Sequence, residues 1–110
     1  NLIVNCTPIG LGDSGEIPPW IEKIFRAASP EALLFDTVYS RDLKPTALMD
    51  LAMQGACCDA RGSSMRAVDG LRMLVEQAVL GFEYWTGRRP PAELLMDAAV
   101  NAALNYQTSP

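Results

Sequence analysis

Histidine is absent from this sequence of 110 residues, and cysteine occurs only three times. Without histidine, the chain lacks the commonest zinc ligand and the usual general base of a catalytic triad. Cys57 and Cys58 are adjacent and no CxxC spacing occurs, so the cysteines indicate reduced thiols rather than a disulfide framework. The sequence therefore argues against a metal site and against a histidine-based triad.

Basic residues and long apolar runs are also scarce. Lysine and arginine together number 9 against 13 acidic residues, which gives a formal charge of −4. This balance argues against nucleic acid or an anionic membrane as a partner. No apolar run approaches the roughly 20 residues that span a bilayer, and no export signal precedes the first predicted strand. With 49% hydrophobic and 20% charged residues, the composition is typical of a globular protein, for which we expect a cytoplasmic location.

Strand and helix patterns alternate along the chain. Short apolar runs predict buried parallel strands at residues 2–4 and 32–38, and a third strand leads into Val68. Amphipathic spacing predicts four helices, at residues 20–28, 42–54, 67–87 and 91–105. The order βαβαβαα predicts an α/β fold built on a parallel sheet. Segment 57–65 stays unassigned, and most of it has loop composition.

The helix predicted at residues 67–87 organises the rest of the chain. Asp69 is its predicted N-cap, and Gly87 with the prolines beyond it ends the helix. Its charged stripe consists of Arg72, Glu76 and Glu83. Its inward face is predicted to consist of Leu71, Leu74, Ala78, Phe82 and Trp85. In the other helices, the residues predicted to face inward are Ile21, Ile24, Phe25, Leu48, Leu51, Ala52, Leu95, Ala98, Ala99 and Ala102.

Gln77 interrupts the pattern of this helix. It lies roughly 120° from the charged stripe, on a flank with Gly70 and Met73, and is therefore predicted to face a packed or concave surface. A buried primary amide must be hydrogen-bonded. From the residues alone, Gln77 either bonds a backbone group, which is the more frequent case, or meets a polar ligand.

Residues 10–15 spell G-x-G-x-x-G after a strand, and Asp36 follows about 20 residues later, which is the outline of a dinucleotide fingerprint. The helix of that fingerprint must open within the glycine run, where its N–H groups hold the pyrophosphate. Two prolines intervene here, and proline is tolerated only in the first turn of a helix. The helix is therefore predicted to start near Pro19 or Trp20, and residues 10–15 are predicted to form a glycine-rich loop.

Three motifs, in the same order, resemble the shikimate dehydrogenase family, which includes the quinate/shikimate dehydrogenases. DGLRMLVEQ at 69–77, with WTG at 85–87, is similar to the family's C-terminal signature. LIVNCTPIG at 2–10 is similar to its strand and Asn-Ala-Thr-Pro loop, with Cys6 in place of alanine. FDTVY at 35–39 is similar to its Tyr-Asp-x-Val-Tyr strand end. The resemblance extends over most of the chain.

The resemblance implies binding roles for six residues. Gln77 would hydrogen-bond the hydroxyls of the substrate, and Tyr39 would reach the substrate. The positions that the resemblance assigns to the cofactor are Asn5, Thr7, Thr37 and Gly70. Thr37 would lie against the nicotinamide, where the family often has a bulkier residue. Gly70 would allow the nicotinamide to approach the backbone closely.

Arg72 departs from the family, which often has glycine or a small or acidic residue at this position. Its place on the charged stripe favours a surface arginine over a cofactor contact. Lys23 and Lys44 are the only lysines, and neither matches the family's catalytic lysine, so no catalytic residue is assigned in this chain.

The implied function is that of part of an NADP-dependent oxidoreductase that interconverts 3-dehydroshikimate and shikimate. Residues 1–110 would be the C-terminal half of the NADP-binding domain, which is the second half of a doubly wound Rossmann-like sheet, together with the C-terminal helices. The substrate domain, with its catalytic lysine and aspartate, and the glycine fingerprint would then lie upstream. Two alternatives stay open, a quinate/shikimate dehydrogenase that uses NAD and a non-catalytic regulatory or binding domain of the same fold. The sequence leaves the oligomeric state open.

Overall fold

The computed structural model describes residues 1–11, 16–29, 31–40, 42–54 and 64–108. Its elements, in chain order, are β1 (Leu2–Asn5), α1 (Pro19–Ala27), β2 (Leu33–Asp36), α2 (Ala47–Met53), β3 (Arg66–Val68), α3 (Leu71–Thr86) and α4 (Ala92–Thr108). This order confirms the predicted βαβαβαα arrangement and the α/β class.

The three strands form one parallel sheet in the order β1-β2-β3. Leu2 is in register with Leu33, and Asn5 with Asp36, across the β1–β2 pair. On the other side of β2, Phe35 is in register with Val68. Because all strands run in the same direction, their carboxyl ends lie at one edge of the sheet.

The core lies on one face of this sheet. Its buried members are Ile21 and Phe25 of α1, Ala32 and Leu34 at β2, Leu48 and Ala52 of α2, and Met65 before β3. Full burial of a large apolar side chain such as that of Leu34 contributes about 1.5–3 kcal/mol to stability. Met65 belongs to segment 57–65, which stays unassigned from the sequence. Residues 57–63 of that segment lie outside the described residues.

The burial predicted for the first strand is only half right. Leu2 and Val4 are 62% and 47% exposed, whereas Ile3 between them packs against the core. Side chains alternate between the two faces of a strand, and only the face that carries Ile3 meets the buried cluster. The prediction for α1 is wrong at one position, since Ile21 and Phe25 are buried but Ile24 is 46% exposed.

A proline marks the start of α1 and a threonine the start of α2. α1 starts at Pro19, as predicted, with proline in its first turn; residues 12–15 of the glycine-rich run lie outside the described residues. α2 starts at Ala47 rather than at residue 42, because Thr46 is its N-cap and accepts a hydrogen bond from the Met49 N–H at 3.2 Å. Leu48 and Ala52 of α2 are buried and Leu51 is half-buried, in agreement with the predicted face.

The predicted helix at 67–87 is shorter than expected, because residues 66–68 form β3 and α3 starts at Leu71, two residues after the predicted cap Asp69. Its predicted end is confirmed. Gly87 follows α3 with φ +70°, a conformation that favours glycine, and its N–H bonds the Glu83 carbonyl at 2.8 Å. α4 runs from Ala92 to Thr108 and packs against α3.

The predicted inward face of α3 is wrong. Val75 and Val79 are buried, whereas Leu71 and Leu74 are half-buried. The other three residues of the predicted face are exposed, namely Ala78, Phe82 and Trp85. Apolar residues occur nearly all round this helix, so periodicity alone does not identify the side that packs. In α4, Leu95 and Ala99 are half-buried as expected, but Ala98 and Ala102 are exposed.

The chain forms two compact units. One consists of residues 1–40 and 45–70 and contains the sheet with α1 and α2. The other consists of residues 41–44 and 71–110 and contains α3 and α4. Among the described residues, no helix combines the length and the hydrophobicity that crossing a membrane requires.

Arg72 joins the two helices of the second unit at their surface. Its Nε lies 3.0 Å from Glu76 Oε1 on α3, and its Nη1 lies 3.4 Å from Glu93 Oε1 on α4. The side chains of Arg72, Glu76 and Glu93 are 57%, 40% and 75% exposed, so each pair contributes about 1 kcal/mol at most. Arg72 and Glu76 of the predicted charged stripe are therefore part of a solvent-exposed network of ion pairs.

We expect Arg72→Ala to lower the free energy of unfolding by about 1 kcal/mol or less, because alanine keeps the helix propensity and removes only the pairs. Arg72→Gly should cost about 1 kcal/mol more than Arg72→Ala, because glycine also weakens the helix. Urea unfolding at low and high salt checks both values, and the effect of the alanine variant should shrink as salt screens the pairs. A loss of several kcal/mol in Arg72→Ala would contradict this surface role.

Candidate functional site at the carboxyl edge of the sheet

Polar residues collect where the strands of the parallel sheet end. Asn5 ends β1, Asp36 ends β2, and Gly70 lies two residues beyond the end of β3. Open α/β sheets bind ligands at the carboxyl ends of their strands. The candidate site of the first unit is therefore this edge.

The Asn5 side chain shapes the loop that follows β1. Its Nδ2 donates to the Ile9 carbonyl at 3.1 Å and to Asp36 Oδ1 at 2.8 Å. Its Oδ1 accepts from the Thr7 N–H at 3.1 Å and from the Thr7 hydroxyl at 2.6 Å. Both amide hydrogens and the amide oxygen are thus used inside the protein, while Cys6 and Thr7 in the same loop are exposed.

Asp36 is fully buried at this edge. Its Oδ1 accepts from Asn5 Nδ2 and from the Val38 N–H at 3.1 Å, and its Oδ2 accepts from the Thr46 hydroxyl at 2.6 Å. A buried carboxylate is costly unless it is hydrogen-bonded. These three donors satisfy Asp36 and join β1, the end of β2 and the start of α2.

The backbones of Thr37 and Gly70 are in close contact. The Gly70 N–H donates to the Val38 carbonyl at 3.2 Å. A Cβ atom at Gly70 would lie 2.1 Å from the Thr37 carbonyl oxygen and 3.1 Å from the Thr37 Cα, far inside van der Waals contact. Thr37 is also joined to β1, since its hydroxyl and its N–H both donate to the Asn5 carbonyl, at 2.7 and 3.1 Å. Glycine at position 70 is therefore required by the approach of the protein's own backbone.

Tyr39 follows this edge by three residues and is 39% exposed. Val38 between it and Thr37 is half-buried, and its N–H and carbonyl are both hydrogen-bonded at the edge. The backbone that leads to Tyr39 is thus fixed, and its ring remains accessible.

The structure places Gln77 differently from the prediction. Its side chain is exposed, on a stripe of α3 with three apolar residues that are 44%, 56% and 87% exposed, namely Met73, Leu80 and Tyr84. The prediction of a packed surface fails because α3 buries the side that carries Val75 and Val79 instead. An exposed amide can be hydrogen-bonded by solvent, so Gln77 does not require a backbone partner.

Neither lysine is placed like a catalytic base. The Lys44 ammonium lies 2.6 Å from Asp42, and this hydrogen bond and the nearby negative charge raise its pKa, so it stays protonated at neutral pH. Lys23 is exposed on α1. Within the described ranges, no group of three or more cysteine, aspartate or glutamate residues is arranged to hold a metal ion.

The sequence matches known proteins over most of its length. Residues 70–100 match the family described as "Shikimate 5'-dehydrogenase C-terminal domain". Relatives named "Shikimate dehydrogenase (NADP(+))" include proteins of Symbiobacterium thermophilum (37% identical over 96% of this chain), Methanothrix thermoacetophila (36% over 94%) and Microcystis aeruginosa (32% over 88%). The resemblance to the shikimate dehydrogenase family is confirmed. The match concerns its C-terminal portion, and the chain spans about a third of the length of these relatives, with 32%, 33% and 30% covered respectively. No solved structure matches the chain significantly.

The structure brings together four of the six residues singled out by the resemblance to shikimate dehydrogenases. Asn5, Thr7, Thr37 and Gly70 lie within one hydrogen-bonded and closely packed edge of the sheet unit. Tyr39 belongs to the same unit, and Gln77 belongs to the unit of α3 and α4. Their ligand contacts stay predictions.

Two residues of this edge are not among the candidates that the sequence indicates. In the sequence, Asp36 appears only as part of the strand-end motif and of the dinucleotide-fingerprint outline. Thr46 falls inside the helix predicted at 42–54. A signal for Thr46 is nevertheless present, since a threonine after Pro45 and before an apolar helical pattern is a typical N-cap. The pairing of Thr46 with Asp36 depends on the tertiary fold and has no local signal.

We expect Gly70→Ala to destabilise the protein by at least about 3 kcal/mol, the upper end of the usual cost of overpacking, because the new methyl group would collide with the rigid Thr37 backbone. Gly81→Ala is the matched control. No atom lies within 4 Å of a Cβ built at Gly81, in the interior of α3, so alanine there should stabilise by about 0.5–1 kcal/mol. Urea unfolding compares the two variants, and equal stabilities would refute the close backbone contact.

Proposed function

We propose that this chain is the C-terminal part of an NADP-dependent shikimate dehydrogenase, which interconverts 3-dehydroshikimate plus NADPH with shikimate plus NADP⁺. The observation that carries the proposal is the match to relatives named for this activity across both the sheet edge and α3. NADP, when bound, supplies the hydride chemistry. The residues of this chain bind and orient the two ligands.

The sheet edge fits the nicotinamide end of such a cofactor. Gly70 carries no side chain, Thr37 is small and half-buried, and the Thr7 hydroxyl is exposed in the loop beyond Asn5. Backbone and small polar groups at the carboxyl ends of parallel strands suit a cofactor that must approach closely. We assign Thr7, Thr37 and Gly70 to cofactor contact, and Asn5 to the same site through the loop that its side chain holds together.

Gln77 and Tyr39 are assigned to the substrate. Both side chains are exposed, so their amide and phenol groups are available to hydroxyls of shikimate. No catalytic residue is assigned in the chain. We propose that the catalytic residues, the substrate domain and the glycine fingerprint belong to the region that the relatives have and this chain lacks. A cytoplasmic location is part of the same proposal and rests on the sequence alone.

We expect the 110-residue chain alone to show no dehydrogenase activity, because hydride transfer needs cofactor and substrate held together in near-attack geometry. The assay compares the isolated chain with the full-length protein that contains it, using NADP⁺ with shikimate and, in parallel, NAD⁺ with quinate. Turnover by the isolated chain would refute its assignment as a portion of the enzyme. A full-length protein active only with NAD⁺ and quinate would support the quinate/shikimate alternative, and an inactive one would favour the binding domain.

We expect Gln77→Ala in the full-length protein to lower kcat/KM for shikimate roughly three- to a hundred-fold, because a hydrogen bond to a substrate hydroxyl is lost. Stability should change by less than about 0.5 kcal/mol, since Gln77 is exposed. The KM for NADP⁺ should stay close to that of the wild type.

Asn101→Ala is the control for Gln77→Ala, because it also removes an exposed amide but from α4. It should leave steady-state kinetics and thermal unfolding unchanged. If Gln77→Ala unfolds more easily while the folded enzyme handles shikimate normally, Gln77 is structural and its substrate role is wrong.

A further inference from the structure

The Asp36 carboxylate is a buried titratable group that the proposed reaction does not use. It is 0% exposed, and no cation pairs with it in the described part of the chain. Its partners are three donors from three different segments, Asn5 Nδ2, the Val38 N–H and the Thr46 hydroxyl. Such a group contributes geometry rather than proton transfer, because it has no access to a ligand.

We infer that Asp36 is a positioning residue for the cofactor edge, which it holds through these three bonds. The inference rests on the proposed function, since the edge that Asp36 holds is the one assigned to NADP. Asp36 itself touches neither ligand.

The first bond controls the backbone between β2 and Gly70. Asp36 Oδ1 holds the Val38 N–H at 3.1 Å and so fixes the turn that contains Thr37. The carbonyl of Val38 then receives the Gly70 N–H, and the carbonyl of Thr37 faces the bare Cα of Gly70. A shift of this turn therefore moves two of the three positions assigned to direct cofactor contact.

The second bond controls the loop after β1. Asn5 gives one amide hydrogen to Asp36 and the other to the Ile9 carbonyl, and its oxygen holds Thr7. Asp36 thus determines which way the Asn5 amide is turned. If the amide rotates, the loop that presents Thr7 loses its internal bonds.

The third bond connects α2 to the edge. The Thr46 hydroxyl donates to Asp36 Oδ2 at 2.6 Å while its oxygen accepts the Met49 N–H at 3.2 Å. The same hydroxyl thereby caps the helix and donates the third hydrogen bond to the carboxylate. The contribution of this hydroxyl can be isolated by substitution, because serine keeps both bonds and valine keeps only the shape.

Asp36→Ala is the direct test in the full-length enzyme. Alanine accepts none of the three hydrogen bonds, whereas asparagine could keep them, because its oxygen can accept from Asn5 and Val38 while its NH₂ group donates to the Thr46 hydroxyl oxygen. Because small misplacements of reacting groups cost up to about 10²-fold in rate, we expect kcat to fall and the KM for NADP⁺ to rise, with kcat/KM for NADP⁺ lower by roughly ten- to a hundred-fold. The KM for shikimate should change less than the KM for NADP⁺, since Gln77 lies on another unit and only Tyr39 follows the turn that Asp36 holds.

Thr46→Val and Thr46→Ser provide a second pair, in case Asp36→Ala does not fold. Thr46→Val should reproduce the loss in kcat/KM for NADP⁺, and Thr46→Ser should restore it to within about threefold of the wild type. Leu48→Ala is the control for stability alone, because Leu48 is a buried core residue of α2 without any part in the bonds at the edge. It should lower the melting temperature while leaving the kinetics of the folded enzyme unchanged.

The outcomes separate the two proposals. An inactive wild-type enzyme would overturn the proposed function and, with it, the role of Asp36. An active wild type whose Asp36→Ala and Thr46→Val variants lose only stability, as Leu48→Ala does, would overturn the positioning role alone. The positioning role is also overturned if Thr46→Ser fails to rescue, or if neither Asp36→Ala nor Thr46→Val folds, because the bonds would then be purely structural.

Discussion

Asp36 is a buried carboxylate with no counterion among the residues that the structure describes, so its surroundings must supply donors, and this constraint sets the geometry at the carboxyl edge of the sheet. Asp36 is met by the side chain of Asn5, the backbone of Val38 and the hydroxyl of Thr46. Leaving any of these out would cost about 1–3 kcal/mol for an unsatisfied buried group. β1, the turn after β2 and the start of α2 are therefore held in one arrangement, to which Gly70 is fitted by close backbone contact.

The order of the elements could be predicted because it is encoded locally. Pro19 marks the start of α1 and Gly87 the end of α3, and both act through backbone geometry that needs no tertiary contact. The start of α2 was missed although its cap Thr46 is a local signal, whereas the start of α3 was decided by long-range pairing. Residues 66–68 pair with β2 as a strand although the helical pattern already begins at residue 67, so α3 begins four residues later than its pattern.

Burial was harder to predict than secondary structure. Leu2 and Val4 are as apolar as Ile3, yet only Ile3 meets the core. In α3, apolar residues on several sides compete for burial, and the side of Val75 and Val79 is the one that packs. Amphipathicity identifies the inner side of a helix only when one face is clearly polar. Where that contrast is weak, packing partners decide, and a single helix sequence does not contain them.

The candidate site shows the same division between local and tertiary information. Sequence motifs located the strand ends and Gln77, because family signatures are linear. The bond between Asp36 and Thr46 spans 10 residues, and that between Asn5 and Asp36 spans 31, so neither follows from a local pattern. Gly70 illustrates the difference further. The family resemblance implies that Gly70 lacks a side chain so that the nicotinamide can approach. In the structure, the Thr37 carbonyl oxygen already leaves no room for a side chain there.

The chemistry of the described residues fits the binding role proposed for this edge. Asp36 is saturated by three donors, Asn5 uses its whole amide internally, and the Lys44 ammonium is paired with a carboxylate. The side chains proposed to meet a ligand, Thr7 and Tyr39 in this unit and Gln77 in the other, are exposed and offer hydroxyl, phenol and amide groups for hydrogen bonds. When a cofactor supplies the hydride chemistry, the binding groups need fixed positions more than they need reactivity. A buried carboxylate with three hydrogen-bond donors fixes the backbone of the edge and is itself inaccessible to a ligand.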